Sequence, residues 1–138
     1  MNHLAIVVRD DAFDRLLTTL TFAYVQAAKG VTVDILFVLW AVRVLTQAGV
    51  DSLKVDAGHA HESDLLREQL VAEGAPTEIR DYPRMLHRTG NVSLYACSLA
   101  AQTFGVMPDG LLPEASGIVS SDWFLNERAI TADHCQYF

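Results

Sequence analysis

Cys97 lies where the sequence changes from a strand pattern to a helix pattern. The apolar run at positions 92–101, VSLYACSLAA, reads as a strand up to this residue and as a helix after it. At such a junction a thiol is close to unpaired backbone N–H groups and to the positive end of the helix dipole, which both favour the thiolate. Cys97 is therefore a candidate nucleophile. A small buried apolar residue is the other interpretation, and position alone favours neither.

His59 and His61 form a His-x-His pair, which is a second candidate for chemistry. Two imidazoles at this spacing could supply two metal ligands from an extended loop. No third ligand is identifiable, so we expect a solvated loop and no metal site. The same histidines could instead approach Cys97, from this chain or from a neighbouring subunit, and stabilise its thiolate.

The remaining titratable candidates have simpler explanations. Asp10 and Asp11 form a carboxylate pair, which a solvated loop or the favourable charge of a helix N-terminus explains without catalysis. His134 and Cys135 belong to the predicted last strand, and we expect them in the core or in an interface. A disulfide between Cys97 and Cys135 would need Cα atoms within about 7 Å, and we expect none.

The glycines and cysteines do not form the motifs of common cofactor sites. No glycine belongs to a G-x-G-x-x-G or a P-loop pattern, so the sequence predicts no nucleotide cofactor. The two cysteines are too few for a disulfide framework and lack Cys-x-x-Cys spacing, so we expect reduced thiols. The prediction is a chain with no bound cofactor and no metal.

The elements that would position Cys97 alternate between strands and helices. Buried apolar runs predict strands at residues 3–8, 31–38, 92–97, 116–120 and 132–138. Helical spacing predicts helices from residue 12 to the glycine at 30 and at residues 40–47, 63–73, 98–104 and 122–128. Residues 51–62 and 77–83 read as loop or irregular segments, and residues 84–88 as one helical turn.

This alternation predicts an α/β fold. We expect a single domain over residues 1–138, with an open, mostly parallel five-stranded sheet and helices on both faces. In such sheets the reacting group lies at the carboxyl ends of the strands. Among the residues at those ends, Cys97 is the one good nucleophile, which strengthens its candidacy.

Composition limits the kinds of partner. The 138 residues carry a formal net charge of −7 and ten basic residues without a basic cluster, which argues against nucleic acid and against an anionic membrane surface. A hydrophobic share of 51% is high for a small monomer, so we expect a subunit interface. The longest apolar stretch is too short for a membrane span, and no signal peptide opens the sequence, so we expect a cytoplasmic protein.

Several segments together resemble the DsrE/DsrF-like family of small sulfur-relay proteins. The opening strand at 4–8, the end of the first helix at 23–30 and the second strand at 31–37 are similar to those of the family. The best match is LYACSLAAQTFGV at 94–106, which resembles the family's strand, cysteine, helix and glycine element. The final DHCQYF at 133–138 resembles the family's closing strand, so the likeness spans the whole chain.

The resemblance implies a flavodoxin-like α/β domain that assembles as a homotrimer or hexamer. It also implies a cysteine, here Cys97, that accepts a sulfane sulfur as a persulfide and passes it to another thiol, with a small sulfur carrier of the TusA type as partner. Where relatives carry small residues after the second strand, this chain has Leu39, Trp40 and Ala41, which we expect to narrow the pocket and change which donor fits.

Two functions therefore stay open from the sequence. The first is a sulfurtransferase or persulfide carrier acting through Cys97. The second is a non-catalytic oligomeric module that binds a small ligand or a protein, with Cys97 packed in the core. The reactivity of the Cys97 thiol separates them, because relay needs a thiolate that a sulfur donor can reach.

Overall fold

The computed structural model describes residues 1–138 and contains one sheet of five parallel strands. The strands are β1 (His3–Val8), β2 (Thr32–Phe37), β3 (Val92–Cys97), β4 (Gly117–Val119) and β5 (His134–Tyr137). Their order across the sheet is β4-β3-β2-β1-β5, and every neighbouring pair is parallel. The expected five-stranded α/β sheet is confirmed.

The helices are α1 (Phe13–Ala27), α2 (Ser63–Glu73), α3 (Asp81–Arg88), α4 (Ser98–Phe104) and α5 (Ser121–Phe124). A π-helical turn, Leu125–Ala129, continues α5 directly. We call these two pieces together the α5–π segment, residues 121–129. No helix is both long enough and apolar enough to span a membrane.

The two faces of the sheet are covered unequally. Leu4 and Ile6 of β1 line a cleft together with Phe22 and Val25, so α1 packs on the face to which these β1 side chains point. Right-handed crossovers from β1 through β4 keep the connecting helices on that same face. The opposite face carries the α5–π segment, because the ring of Tyr95 in β3 contacts the rings of Trp123 and Phe124.

The core follows from the strand sequences. β-branched and other apolar residues fill β1 and β2, and in β2 all residues from Val33 to Phe37 are buried. Leu16, Leu20 and Ala23 of α1 are fully buried against the sheet. A strand that is buried on both faces in this way is the pattern expected for the centre of a parallel sheet.

The predicted helix at 40–47 is wrong in type. The chain forms a 3₁₀ segment, Leu39–Leu45, and Thr46 ends it: its hydroxyl donates to the carbonyl oxygen of Arg43 at 2.7 Å and accepts from the N–H of Gly49 at 2.9 Å. Such local side-chain hydrogen bonds compete with helix continuation. Val42 and Val44 of this segment are fully buried.

Other boundaries differ by a few residues. α3 begins at Asp81 and not at residue 84, because Pro83 falls in its first turn, where a missing N–H costs nothing. The predicted helix at 122–128 is a short α-helix followed by the π-helical turn. β4 and β5 are shorter than predicted, whereas α2 and α4 have the predicted bounds.

Candidate functional site

Cys97 occupies the predicted junction. It is the last residue of β3, it pairs with Val119 of β4, and with φ −69° and ψ 129° it is the N-cap residue of α4. Its backbone is therefore at the carboxyl edge of the parallel sheet, directly before the first turn of a helix.

The thiol itself is buried. Cys97 is 4% exposed, its side chain makes no capping hydrogen bond with α4, and it does not line the clefts of about 640 Å³ and about 430 Å³ that are described below. Side chains alternate along a strand, so Cys97 points to the same face as Tyr95, which is the face that the α5–π segment covers.

An exposed apolar rim flanks Cys97 at the carboxyl edge. Leu39 and Trp40 follow the neighbouring strand β2 and are each 49% exposed, and Leu99 in the first turn of α4 is 67% exposed. Leu39 has φ +49°, and no other non-glycine residue has a positive φ. A leucine in this left-handed region is strained, and such strain tends to be kept at functional positions.

A cleft of about 640 Å³ opens beside this rim, between the 3₁₀ segment and the end of α4. Arg43 is its central cation: the guanidinium forms an ion pair with Asp11 and lies 5.1 Å from the ring centre of Trp40 and 5.4 Å from that of Phe104. The rings of Trp40 and Phe104 are 5.0 Å apart, so Trp40 packs on α4. The cleft could hold a small ligand with both apolar and polar groups.

A polar cluster lies on the opposite face, beneath the α5–π segment. Asp34 of β2 is 4% exposed, and its Oδ2 is 2.7 Å from Nε2 of His3 and 3.7 Å from Nε of Arg128. The guanidinium of Arg128 lies 4.6 Å from the ring centre of Trp123. Proximity to Tyr95 and then to Asp34 raises the pKa of Arg128 despite its partial burial, so this side chain stays a cation.

The sequence offers one signal of this cluster, which the predictions did not use: Asp34 is a lone carboxylate in a strand buried on both faces, and such a carboxylate indicates that a cationic partner is near. Its partners His3 and Arg128 are far away in the chain, so the sequence could not identify them. The sequence likewise gives no indication that Arg43 contacts Asp11 and Phe104.

His59 and His61 are in a 3₁₀ segment, Ala57–Glu62, and are exposed. Nδ1 of His59 is 3.2 Å from the carboxylate of Glu62, and Nε2 of His61 is 3.6 Å from it. No group of three or more His, Cys, Asp or Glu side chains in the chain is arranged to hold a metal ion.

The second thiol is remote from the first. Cys135 lies on the edge strand β5, three strand positions from β3, which is roughly 14 Å of lateral separation. Both cysteines are free. The charge and hydrogen bond of the Cys135 sulfur raise the pKa of Tyr137, which shares its face of β5. Cys135 therefore cannot act as a resolving thiol for Cys97 within one chain.

Asp10 and Asp11 are engaged in ion pairs. Oδ2 of Asp10 is 2.9 Å from Nη1 of Arg15, and Asp11 pairs with Arg43. Asp56 adds a second carboxylate at 3.2 Å from Arg15. The sequence predicts a solvated loop or a helix N-terminus for the two carboxylates; the ion pairs leave neither of them as an isolated catalytic acid.

The fold has known counterparts. No protein-family model and no curated protein sequence matches the chain. Among solved structures, the ychN protein from E. coli is similar over 100% of both chains, with a TM-score of 0.69 and 16% identity. The protein of unknown function MTH1491 from Methanobacterium thermoautotrophicum is similar over 99% of both chains, with a TM-score of 0.60 and 16% identity. At this identity the likeness shows the fold alone, and this chain shares the single-domain α/β fold of both proteins.

Proposed function

We propose that the protein is a sulfur-relay protein in which Cys97 carries a sulfane sulfur as a persulfide. The observation that carries the proposal is the position of Cys97 at the β3–α4 junction, on the carboxyl edge of a parallel sheet. Ligands and reacting groups of open α/β sheets gather at that edge. The likeness of residues 94–106 to the DsrE/DsrF-like pattern supports the same residue.

The reaction needs no oxidant or reductant. The Cys97 thiolate attacks the outer sulfur of a donor persulfide, the S–S bond of the donor breaks, and the donor leaves as a thiolate. The resulting Cys97 persulfide is then attacked at its outer sulfur by a partner thiolate. That second step breaks the new S–S bond, returns Cys97 as a thiolate and gives the persulfide of the partner.

The assembly and the partner belong to the same proposal. We infer a homo-oligomer, a trimer or a hexamer, that hands sulfur to a small carrier protein of the TusA type. The exposed apolar rim of Leu39, Trp40 and Leu99 beside the thiol is suited to contact with another protein. Two free cysteines fit a reducing compartment, which supports a place in the cytoplasm.

A second function has an observation in its favour. The 4% exposure of Cys97 is what a packed, inert thiol would show, and the cleft around Arg43 is a separate place for a ligand. Under this alternative the protein is an oligomeric binding module without catalysis, and Cys97 contributes only to the core.

Mass spectrometry after exposure to thiosulfate or a low-molecular-weight persulfide separates the two functions. We expect the parent protein and Cys135→Ser to gain one sulfur atom on Cys97, and Cys97→Ser to gain none at that site. The matched variant Cys135→Ser controls for sulfur on the more exposed thiol. Equal uptake by Cys97→Ser, or no uptake at Cys97 while the unfolded chain reacts there readily, would exclude relay through Cys97.

A further inference from the structure

Strand β5 forms one edge of the sheet and has no strand on its outer side. Phe138, which follows it, directs both of its backbone groups to β1, where the N–H donates at 2.9 Å and the carbonyl oxygen accepts at 3.2 Å. Successive peptide groups of a strand point to opposite sides, so those of Cys135 and Tyr137 point outward. The carbonyl oxygen of Tyr137 accepts from the side-chain amide of its neighbour Gln136 at 3.2 Å, a contact that the N–H of a further strand can replace.

This edge lacks the features that keep edge strands from pairing. Exposed edges are usually protected by lysine, by proline, by a bulge or by very short length. β5 has the sequence HCQY, without Asp, Glu, Lys, Arg or Pro, and three of its four residues are exposed. The carboxylate of Asp133, just before β5, is turned to the start of β1 and accepts from the N–H groups of Asn2 and His3 at 2.5 Å and 2.9 Å. The outer side of β5 is therefore open to another strand.

The other edge strand, β4, is less suited to pairing. It has three residues, all of them half-buried, and its first residue, Gly117, has φ +123°. So short a strand offers few outward backbone groups, and a glycine at this φ departs from strand geometry. β5 is thus the edge that is better able to accept a strand.

Uncharged side chains flank the outer edge of β5. On one face of the sheet is the cleft that β5 forms with α1, where Phe22 and Val25 are 55% and 44% exposed and no Asp, Glu, Lys or Arg side chain contributes to the lining. On the other face, Tyr137 is 62% exposed next to Cys135. The chain has a net charge of −7, so a second copy meets the least repulsion at such a surface, whereas a basic partner would be attracted to the acidic remainder.

We propose that β5 is the contact between two copies of this chain, which pair through their β5 edges as antiparallel neighbours across a two-fold axis. With Gln136 at the axis, the outward backbone groups of Cys135 in each copy meet those of Tyr137 in the other, and each such pair exchanges both of its N–H to carbonyl hydrogen bonds. The sheets of the two copies become one continuous sheet. The two-fold axis also brings the two uncharged clefts to the same seam, so the whole patch is self-complementary.

This arrangement limits the architecture of the oligomer. A two-fold contact gives a dimer, or a hexamer when it is combined with a three-fold contact, and it has no place in a closed trimer. Because the axis reverses the strand direction, the carboxyl edges of the two sheets point in opposite directions. The Cys97 residues of the two copies therefore lie at opposite ends of the joined sheet, and each acts without the other. The pairing itself does not depend on the proposed function.

Cross-linking at Cys135 tests the contact directly. In the proposed register the Cys135 residues of the two copies are diagonal neighbours on one face, roughly 7–8 Å apart, which a short bismaleimide can span. We expect the folded protein to give a covalent dimer whose cross-linked peptide joins Cys135 to Cys135. The control variant Cys135→Ser keeps Cys97 and should give no covalent dimer.

A charge on the edge strand gives a second test. Tyr137→Lys places on β5 the residue type that edge strands use against pairing, and we expect it to raise the dissociation constant of the two-fold contact about tenfold or more, measured by sedimentation over a concentration series. Leu65→Lys is the matched control, because Leu65 on α2 is 52% exposed and the variant changes the net charge by the same amount. Its dissociation constant should stay within about twofold of that of the parent.

Hydrogen exchange of the parent protein needs no substitution. The amides of Cys135 and Tyr137 should become protected as the protein concentration rises, whereas the amides at the β4 edge should not. An oligomer that forms without the Cys135 cross-link and without added protection of β5 would overturn the proposal, as would a monomer or a closed trimer at every concentration. Sulfur uptake at Cys97 decides the proposed function separately: persulfide formation by a protein whose β5 edges stay unpaired would support relay and exclude this contact.

Discussion

The two thiols of the chain differ in surroundings more than in chemistry. Cys97 is 4% exposed at a strand-to-helix junction, whereas Cys135 is partly exposed on an edge strand next to Tyr137. A reagent that meets the folded protein therefore encounters Cys135 first. An assay of sulfur uptake therefore has to distinguish Cys97 from Cys135, because greater exposure alone would make Cys135 react faster with a sulfur donor.

At Leu39 the backbone conformation gives a stability prediction. A left-handed conformation costs a non-glycine residue about 1–2 kcal/mol, and a β-branched side chain fits it worst. We expect Leu39→Gly to be more stable than Leu39→Val by about 1–2 kcal/mol, measured as the free energy of unfolding in urea.

Leu99 is the control for that comparison, because it is exposed like Leu39 but lies in the helix α4. In a helix, valine is favoured over glycine by about 0.4 kcal/mol, so the order of the two variants should reverse at Leu99. Valine equal to or better than glycine at Leu39 would mean that the left-handed conformation is not imposed on this residue.

For Cys97, the sequence predicts the position in the secondary structure better than the burial of the side chain. The junction at Cys97 follows from a local pattern, VSLYAC followed by helical spacing, and the structure has it there. Its 4% exposure depends instead on tertiary packing, because Cys97 belongs to the buried core cluster. No local pattern near Cys97 contains that information.

A partly buried ion pair joins two parts of the fold and makes its stability depend on pH. Nη2 of Arg80, before α3, is 3.2 Å and 3.1 Å from the two carboxylate oxygens of Glu114, in the segment that leads to β4. Burial raises the pKa of Glu114, but the hydrogen bond and charge of Arg80 outweigh this effect, and the net pKa lies below its usual value of 4.5.

The sign of the pH effect follows from this lowered pKa. On acidification from pH 5 the unfolded chain protonates Glu114 before the folded protein does, so the contribution of the pair is complete above about pH 5 and is lost as the pH falls through the folded pKa. We expect Glu114→Gln to be less stable than the parent by about 2 kcal/mol at pH 7, because Arg80 loses its charged hydrogen-bond partner in a partly buried position.

That difference should shrink between about pH 5 and pH 3, which urea unfolding at a series of pH values measures. Glu78→Gln is the control: its carboxylate is exposed and lies 3.5 Å from Arg67, so its effect should be small at every pH. Parallel stability curves for the parent and Glu114→Gln would contradict the assigned role of this pair.

Whether an element could be predicted depended on what ends it. α2 and α4 have glycines with positive φ directly after them, Gly74 and Gly105, and both helices have the predicted bounds. The 3₁₀ segment Leu39–Leu45 is ended instead by the side chain of Thr46, and the spacing of its apolar residues does not distinguish a 3₁₀ helix from an α-helix. The α5–π segment is likewise set by its contacts with the sheet.

For the whole molecule, the alternation of strands and helices was enough to predict the five-stranded α/β sheet, because crossover handedness leaves few arrangements. The same rule does not say how completely each face is covered. One face has α1, α3 and α4, and the other has nine residues of the α5–π segment. This asymmetry leaves much of the second face open, as the high apolar content of the sequence suggests for a chain with partners.

Self-association is the last property that follows from the surface. A cleft of about 430 Å³ between α1 and β5 includes Phe22, 55% exposed, and Phe138, whose rings meet edge to face at 5.7 Å. No Asp, Glu, Lys or Arg side chain lines it, although the chain carries a net charge of −7. Two copies can therefore meet there without opposing like charges, while repulsion acts between their remaining surfaces.

We expect sedimentation to give a mass that is a multiple of 15.2 kDa, with association strengthened by added salt, since salt screens the repulsion. Phe22→Glu should shift the protein towards monomer by placing a charge in the neutral cleft. Leu65→Glu, on α2 and similarly exposed at 52%, should not change the mass. If Phe22→Glu leaves the oligomer intact, the subunits must associate through another surface. The exposed apolar rim of Leu39, Trp40 and Leu99 is then the next candidate interface.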